Sequence, residues 1–164
     1  MNILITLIAF VGLLIGKLLG FFVKEEIEQG KRYFLWARRL IALGLAIALM
    51  FNLSLGLHSA VGFIIGILMA LFLNMRYFYL GLALLMAYAF GSNLVLLVAS
   101  LIFLYGLVYG SLYPEKTLIA FVFYLIPMIF ILFKDILYSY SDLVNGFLTG
   151  AILLLEIFDK PERL

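Results

Sequence analysis

The chain has 164 residues, 67% of them hydrophobic and 12% charged, with a mean hydropathy of +1.25. Soluble domains are roughly half apolar and about a quarter charged, so a water-soluble fold is excluded and the bilayer is the solvent that suits this chain. A formal charge of +2 gives no argument for nucleic acid as a partner, and a chain without cysteine has no disulfides, thiol chemistry, thiolate metal sites or Cys-x-x-Cys-His cofactor attachment.

The N-terminal run MNILITLIAFVGLLIGKLLGFFV lacks a basic leader and a small-residue cleavage site, and it is long enough to span. It therefore reads as a retained helix over 3–23, not as a signal peptide. Gly12, Gly16 and Gly20 recur at every fourth position and so share one helix face. Lys17 lies in the same run, about 10 Å from its inner boundary by helical rise, deeper than snorkelling comfortably reaches. The sequence predicts that Lys17 turns inward and pairs with Glu156 or with a loop carboxylate.

Next comes KEEIEQGKRYFLWARR, residues 24–39, which holds three of the nine acidic and five of the eleven basic side chains. This stretch is expected to be a cytoplasmic interfacial loop. Glu28 and Arg32 are spaced to pair if it is helical, whereas Gly30 would break it into two turns. Tyr33, Phe34 and Trp36 suit the headgroup level, and Glu25, Glu26, Glu28, Lys31, Arg32, Arg38 and Arg39 are expected to meet lipid headgroups or a partner. Acid/base work on a lipid headgroup is a sharper use of the same groups.

The remaining apolar runs are separated by brief breaks, LHS, NMR, GSN and YPEK. They place further spans near 40–56, 59–74, 77–91, 93–112, 117–134 and 143–158, about seven in all with the first. Continuous apolar runs such as LALLMA and VLLVAS have no period of two, which excludes a membrane barrel. The fold class is thus all-α, a compact polytopic bundle of short helices forming a single transmembrane domain over 1–164. Small residues recur at spacing four in Gly62/Gly66/Ala70, Ala83/Ala87, Gly106/Gly110 and Gly146/Gly150. This spacing lets backbones approach closely, either within the chain or in a homo-oligomer or larger membrane complex. Pro127, near the middle of the sixth span, removes a helical donor for the carbonyl of Phe123 and predicts a kink.

Basic residues orient the bundle, because cytoplasmic loops collect Lys and Arg. Seven spans with the N-terminus outside place Lys24, Lys31, Arg32, Arg38, Arg39, Arg76, Lys116, Lys160 and Arg163 in the cytoplasm, and only Lys134 outside. The protein is then expected to be a multi-pass protein of the cell membrane with a cytoplasmic C-terminus. Asn52, His58, Asn93, Asp135, Asp142 and Asn145 fall at outer span ends, and Asn74, Arg76, Glu115 and Lys116 on the inner side. Ionisable and polar groups within spans are costly and so are functional candidates. The path candidates are Lys17, Glu156, Pro127, Asn52, Asn93, Asp135, Asp142 and Asn145. His58 with Asp135 and Asp142 has the ligand types for zinc or manganese but not the spacing of a ligand motif, so no metal or other cofactor is expected.

Family signatures are absent. The E-E-x-x-x-R helix of CAAX-type intramembrane proteases has Gly30 in place of arginine, and His58 is the only histidine. The Gly-Ser-x-Pro motif of seven-span glycerol phosphate acyltransferases and the Gly-x-Gly-Asp motif of aspartyl intramembrane proteases are missing. Three functions follow from the residues. The leading one is transport of a small solute or ion, as a channel-like bundle. The alternatives are an interaction subunit of a larger membrane complex, and a lipid-modifying enzyme that uses residues 24–39.

Overall fold

In a computed structural model of the chain, residues 3–51, 54 and 56–157 are described. Among these residues the regular elements are all helical. They are α1 (Ile3–Phe22), α2 (Lys24–Met50), α3 (Leu57–Phe72), α4 (Arg76–Phe90), α5 (Ser92–Leu112), α6 (Thr117–Leu125), α7 (Lys134–Ser139) and α8 (Ser141–Ile157), with 3-10 segments at Pro114–Lys116 and Ile126–Phe133. A helix satisfies its backbone hydrogen bonds locally, which is what a chain with so few polar partners needs.

Among the described residues, three helices are long and apolar enough to cross a membrane: Leu4–Phe22, Lys24–Met50 and Asn93–Leu112. Large apolar side chains lie exposed along them, among them Leu4, Ile8 and Leu18 on α1 and Leu96 and Leu97 on α5. A continuous oily exterior of this kind belongs against lipid or protein.

The segment expected as a loop over 24–39 is instead the first part of α2, which runs unbroken through Gly30 to Met50. Its Glu, Gln, Lys, Arg, Leu and Ala residues are strong helix formers, and one internal glycine costs only about 1 kcal/mol. Glu25 and Glu26 lie in the first turn, where the helix dipole favours negative charge. Only Val23 (φ −122°, ψ 38°) separates α2 from α1. The exposed side chains of Lys24 and Glu28 pair at 3.9 Å, in place of the expected Glu28–Arg32 pair.

The glycine rows set how closely the helices pack. A Cβ on Gly12 would stand 2.1 Å from the carbonyl oxygen of Phe103, and one on Gly16 would stand 2.2 Å from that of Leu107. Across the second interface a Cβ on Gly62 would lie 2.1 Å from the oxygen of Leu143, and one on Gly66 would lie 2.0 Å from that of Phe147. Residue numbers rise together on both sides, so α1/α5 and α3/α8 are parallel pairs in backbone contact. Both rows are covered from within the chain and are not faces left open for a partner.

Two other points depend on glycine. Gly91, at φ +119°, is the only residue between α4 and α5 and occupies a conformation L side chains rarely adopt. Pro127 is buried, and its Cγ would stand 3.2 Å from a Cβ on Gly81, where α4 crosses the sixth apolar run. The expected break at Pro127 takes the form of a change from α6 to the 3-10 segment at Ile126.

Two substitutions test the role of the rows. Gly66→Val is expected to lower stability by at least about 2 kcal/mol, because backbone and not a movable side chain meets the new atoms. Gly30→Ala has only the Phe34 ring at 3.5 Å and is expected to gain up to about 1 kcal/mol from helix propensity. Chemical denaturation in detergent micelles checks both, and equal effects of the two would contradict the packing described.

Candidate functional site

Glu156, 6% exposed on α8, is the centre of a buried polar cluster. Arg38 Nε–H on α2 donates to its Oε2 at 3.0 Å, and the hydroxyl of Tyr105 on α5 donates to its Oε1 at 2.6 Å. Arg76, at the start of α4, places its Nε 3.6 Å from Oε1, an ion pair longer than a hydrogen bond. Four helices thus meet at one carboxylate. Arg38 is fully buried, at 0% exposure.

A ladder of tyrosines walls the cluster. Tyr105 and Tyr109 on α5 and Tyr113 just beyond its end recur at every fourth residue, with ring centroids 6.1 Å and then 5.0 Å apart. Tyr77 on α4 packs edge-on against Tyr105 and Tyr109. The cations sit on ring faces: Arg76 over Tyr109 at 5.9 Å, Arg38 over Tyr113 at 5.9 Å and Lys116 over Tyr113 at 5.1 Å. Cation–π contacts strengthen when desolvated, to about 2 kcal/mol or more.

Beside the cluster, between the start of α4, the end of α5 and α6, lies a cavity of about 260 Å³. Arg76, Tyr77, Tyr109, Tyr113 and Lys116 are among its lining. Tyr77 is 4% exposed, and its hydroxyl has no hydrogen-bond partner among the described residues. Guanidinium groups keep their charge and only donate. Arg76 and Lys116 in the lining therefore contribute donors and no acceptor.

The structure distributes the expected site residues unevenly. Glu156 is in the cluster, but Lys17 is not its partner. Arg38, Arg76 and Tyr105 occupy the carboxylate, and Lys17 lies half-exposed over the ring of Phe21 at 6.0 Å. The cause is the glycine row: Gly16 and Gly20 turn to α5, and the neighbouring position 17 points round the helix. Arg38, expected at a headgroup or partner, is interior instead. Arg39 stands over the ring of Trp36 at 6.0 Å. Glu25, Glu26, Glu28 and Arg32 are exposed, and Lys31 is half-buried.

At the other end of α8, Asp142 accepts the amide N–H of Ser54 at 3.1 Å and the Ser54 hydroxyl. These two donors, followed by nearby His58, hold its carboxyl below the usual range. His58 and Asn93 are exposed. Among the described residues no group of three His, Cys, Asp or Glu side chains is placed to hold a metal. The side chain of Asp135, and Asn52 altogether, lie outside the described residues. Asn145 is 1% exposed, with neither amide atom hydrogen-bonded among the described residues.

The residues missed from sequence are Arg76 and Lys116 as site groups, together with Tyr77, Tyr105, Tyr109 and Tyr113. The available signal was the four-residue tyrosine period, which runs alongside Gly106 and Gly110 on the same helix.

Glu156→Ala is expected to cost about 3–5 kcal/mol by leaving buried guanidinium charge without its carboxylate. Tyr105→Phe should cost about 1.5–3 kcal/mol, and Lys24→Met, in an exposed pair, less than about 1 kcal/mol. Denaturant titration ranks the three, and a flat ranking would refute the cluster. Because the folded pKa of Asp142 is depressed, its contribution to stability is present above the unfolded value of about 3.9. That contribution is lost as pH falls through the folded value. Ser54→Ala should move the Asp142 carboxyl titration, followed by NMR, up toward the ordinary range.

No protein-family model matches the chain, and no curated protein or solved structure matches it either.

Proposed function

We propose that the protein is a multi-pass protein of the cell membrane that moves a small solute or ion across it. One observation carries this reading: Arg38, Arg76, Tyr105 and Glu156 come from four helices and meet in the bundle interior. Buried ionisable groups are expensive, and in membrane bundles they mark solute and ion paths.

A polar stripe extends from the cluster along α8. Asn145, Thr149 and Glu156 share a buried face with Ile152, and the stripe is about 16 Å long by helical rise. Thr149 donates its hydroxyl back to the Asn145 carbonyl at 2.8 Å. A buried amide lacking partners costs about 1–3 kcal/mol, and a solute path gives such a group a use.

In the proposed topology the N-terminus is outside, the chain crosses seven times and the C-terminus is cytoplasmic, as the basic residues favour. Helices α3, α4 and α8, of 16, 15 and 17 residues, are about 22–26 Å long. The hydrocarbon core is about 30 Å thick, and local thinning accommodates shorter spans. The 3-10 segment rises about 2.0 Å per residue, so Thr117–Phe133 would reach about 30 Å despite its few residues.

A lipid-modifying enzyme is the second reading. A cleft of about 360 Å³ beside the start of α2 is lined in part by Glu28, Lys31 and Glu115. Both carboxylates are exposed to solvent, and not enclosed against a substrate. The subunit reading loses the small-residue faces it relied on, because both glycine rows are covered.

The cysteine-free chain makes topology measurable. Gln29→Cys should label only from the cytoplasmic side and Tyr140→Cys only from outside. Flux into proteoliposomes, followed with a panel of small ions and solutes, should exceed that of empty vesicles. Asn145→Leu should cut it at least about tenfold, equivalent to about 1.4 kcal/mol of barrier, without loss of stability. Flux no greater than in empty vesicles across the panel would end the transport reading.

A further inference from the structure

We propose that the cleft of about 360 Å³ where one end each of α1, α2 and α5 meet binds a phospholipid headgroup carrying both a phosphate and a primary amine. Lys24 and Lys31 meet the phosphate, and Glu28 and Glu115 meet the amine. The site goes beyond the transport reading and needs only that these helices lie in a bilayer.

The level of the cleft follows from the helices that form it. Among the described residues, the three helices long and apolar enough to cross a membrane each have one end here: Phe22 of α1, Lys24 of α2 and Leu112 of α5. Gly20 and Ser111 are both in its lining. They form the last contact of the first glycine row, where a Cβ on Gly20 would stand 2.8 Å from the carbonyl oxygen of Ser111. Charged groups at the ends of crossing helices face the headgroup layer. The volume falls within the about 300–1,000 Å³ usual for small-ligand sites.

The cleft carries charge of both signs. Lys24, Glu28 and Lys31 recur at spacings of four and three and so share one face of α2. Glu115, in the 3-10 segment after α5, lines the same cleft. Lys24 and Glu28 approach only to 3.9 Å, longer than a hydrogen bond and in an exposed pair. Lys31 and Glu115 make no hydrogen bond or ion pair among the described residues. Two cations and two carboxylates in one lining balance each other. A purely anionic headgroup would meet the carboxylates as well as the lysines, whereas a zwitterion matches both signs. A primary ammonium donates hydrogen bonds to carboxylates. A quaternary one is recognised by cages of aromatic rings, and Phe21 supplies the one aromatic ring of the described lining.

The exterior of α1 provides a track for the acyl chains. Leu7, Val11, Leu14, Leu18 and Phe21 recur at alternating spacings of four and three and so form one stripe. All five are exposed, from 39% at Val11 to 63% at Phe21. The stripe is about 21 Å long by helical rise, more than the about 15 Å that one leaflet contributes to the hydrocarbon core. Its last member, Phe21, is itself part of the cleft lining. An apolar stripe ending at a cleft of two signs complements both parts of a phospholipid, and a soluble zwitterion would use the cleft alone.

Thermal unfolding tests the site. Protein in phosphatidylcholine nanodiscs is compared with protein in discs where part of that lipid is replaced by phosphatidylethanolamine or phosphatidylglycerol. Apparent affinities come from delipidated protein in detergent, titrated with short-chain forms of the same three lipids. Phosphatidylethanolamine is expected to bind most tightly. Lys31→Met should weaken both phosphatidylethanolamine and phosphatidylcholine about fivefold, or about 1 kcal/mol, because both carry the phosphate. Glu115→Gln should weaken phosphatidylethanolamine alone and so remove its advantage over phosphatidylcholine. Arg32→Met, exposed and outside the lining, should change neither. Unfolding of each variant in phosphatidylcholine discs confirms that it folds, and Lys24→Met, at a side chain 76% exposed, replaces Lys31→Met if that variant does not.

Equal affinity for the three lipids, a preference for phosphatidylglycerol, or a preference for phosphatidylethanolamine that Glu115→Gln leaves intact overturns the proposal. Soluble phosphoethanolamine that binds as tightly as the lipid assigns the cleft to a free zwitterion and overturns the lipid. Proteoliposome flux tests the transport reading separately, so either reading can fail while the other stands.

Discussion

The arrangement depends on two seams where helix backbones touch. Along α1/α5 and α3/α8 a carbonyl of one helix lies within about 2 Å of where a Cβ would stand on the other, closer than side-chain packing permits. Within a bilayer no hydrophobic drive separates helix contact from lipid contact, so dispersion and close-range polar contacts must hold the helices together. Those seams fix α5 and α8 in rotation as well as in position. Tyr105 is one residue from Gly106 and so lies about 100° round α5 from the seam. Glu156 likewise falls on a different face of α8 from Gly146 and Gly150. Once the glycines commit to α1 and α3, the tyrosine ladder and the carboxylate can face only inward, toward α2 and α4.

What those faces meet explains how charge is tolerated inside. Burying one guanidinium alone costs several kcal/mol, and an ion pair offsets this only when its geometry is good and the other donors find partners. Here the carboxylate takes a short bond from Tyr105, a direct bond from Arg38 and a longer ion pair from Arg76. The ring faces of Tyr109 and Tyr113 take part of the remaining cation field. A replacement by well-packed apolar residues would often be as stable or more so. Retaining two guanidiniums on one buried carboxylate is therefore a poor solution to folding alone.

How much of this the sequence revealed follows from the range of each signal. Helix and seam residues are local signals: Gly12, Gly16 and Gly20, or Gly62 and Gly66, declare a face through their spacing alone. Pro127 announces a break in helical bonding, and the chain changes there from α6 to a 3-10 stretch. The identity of Glu156 as a buried partner was also legible, because an ionisable side chain inside an apolar run needs a counter-charge. Which counter-charge was not. Lys17 was the nearer guess because it too lies in an apolar run, whereas Arg38 stood among eight charged residues and looked solvated. Distinguishing them requires knowing that α2 starts at Lys24, so that Arg38 lies more than three turns into a helix whose buried face includes Ala42, Leu45 and Leu49. Composition pointed to a loop, and helix propensity overruled it.

The same extension of α2 bears on how the site works. Had residues 24–39 been a loop at the surface, their basic groups would meet lipid phosphates as a solvated belt. As a helix, the segment sorts its charges by face. Glu25, Glu26, Glu28 and Arg32 stay exposed, while Arg38 enters the interior with Ile27 and Ala42 on the buried side. One continuous rod therefore links the exposed charged end to the buried carboxylate, about 15 Å away by helical rise from Glu28 to Arg38. Through Glu156, which Arg38 and Arg76 share, that rod is tied to the start of α4.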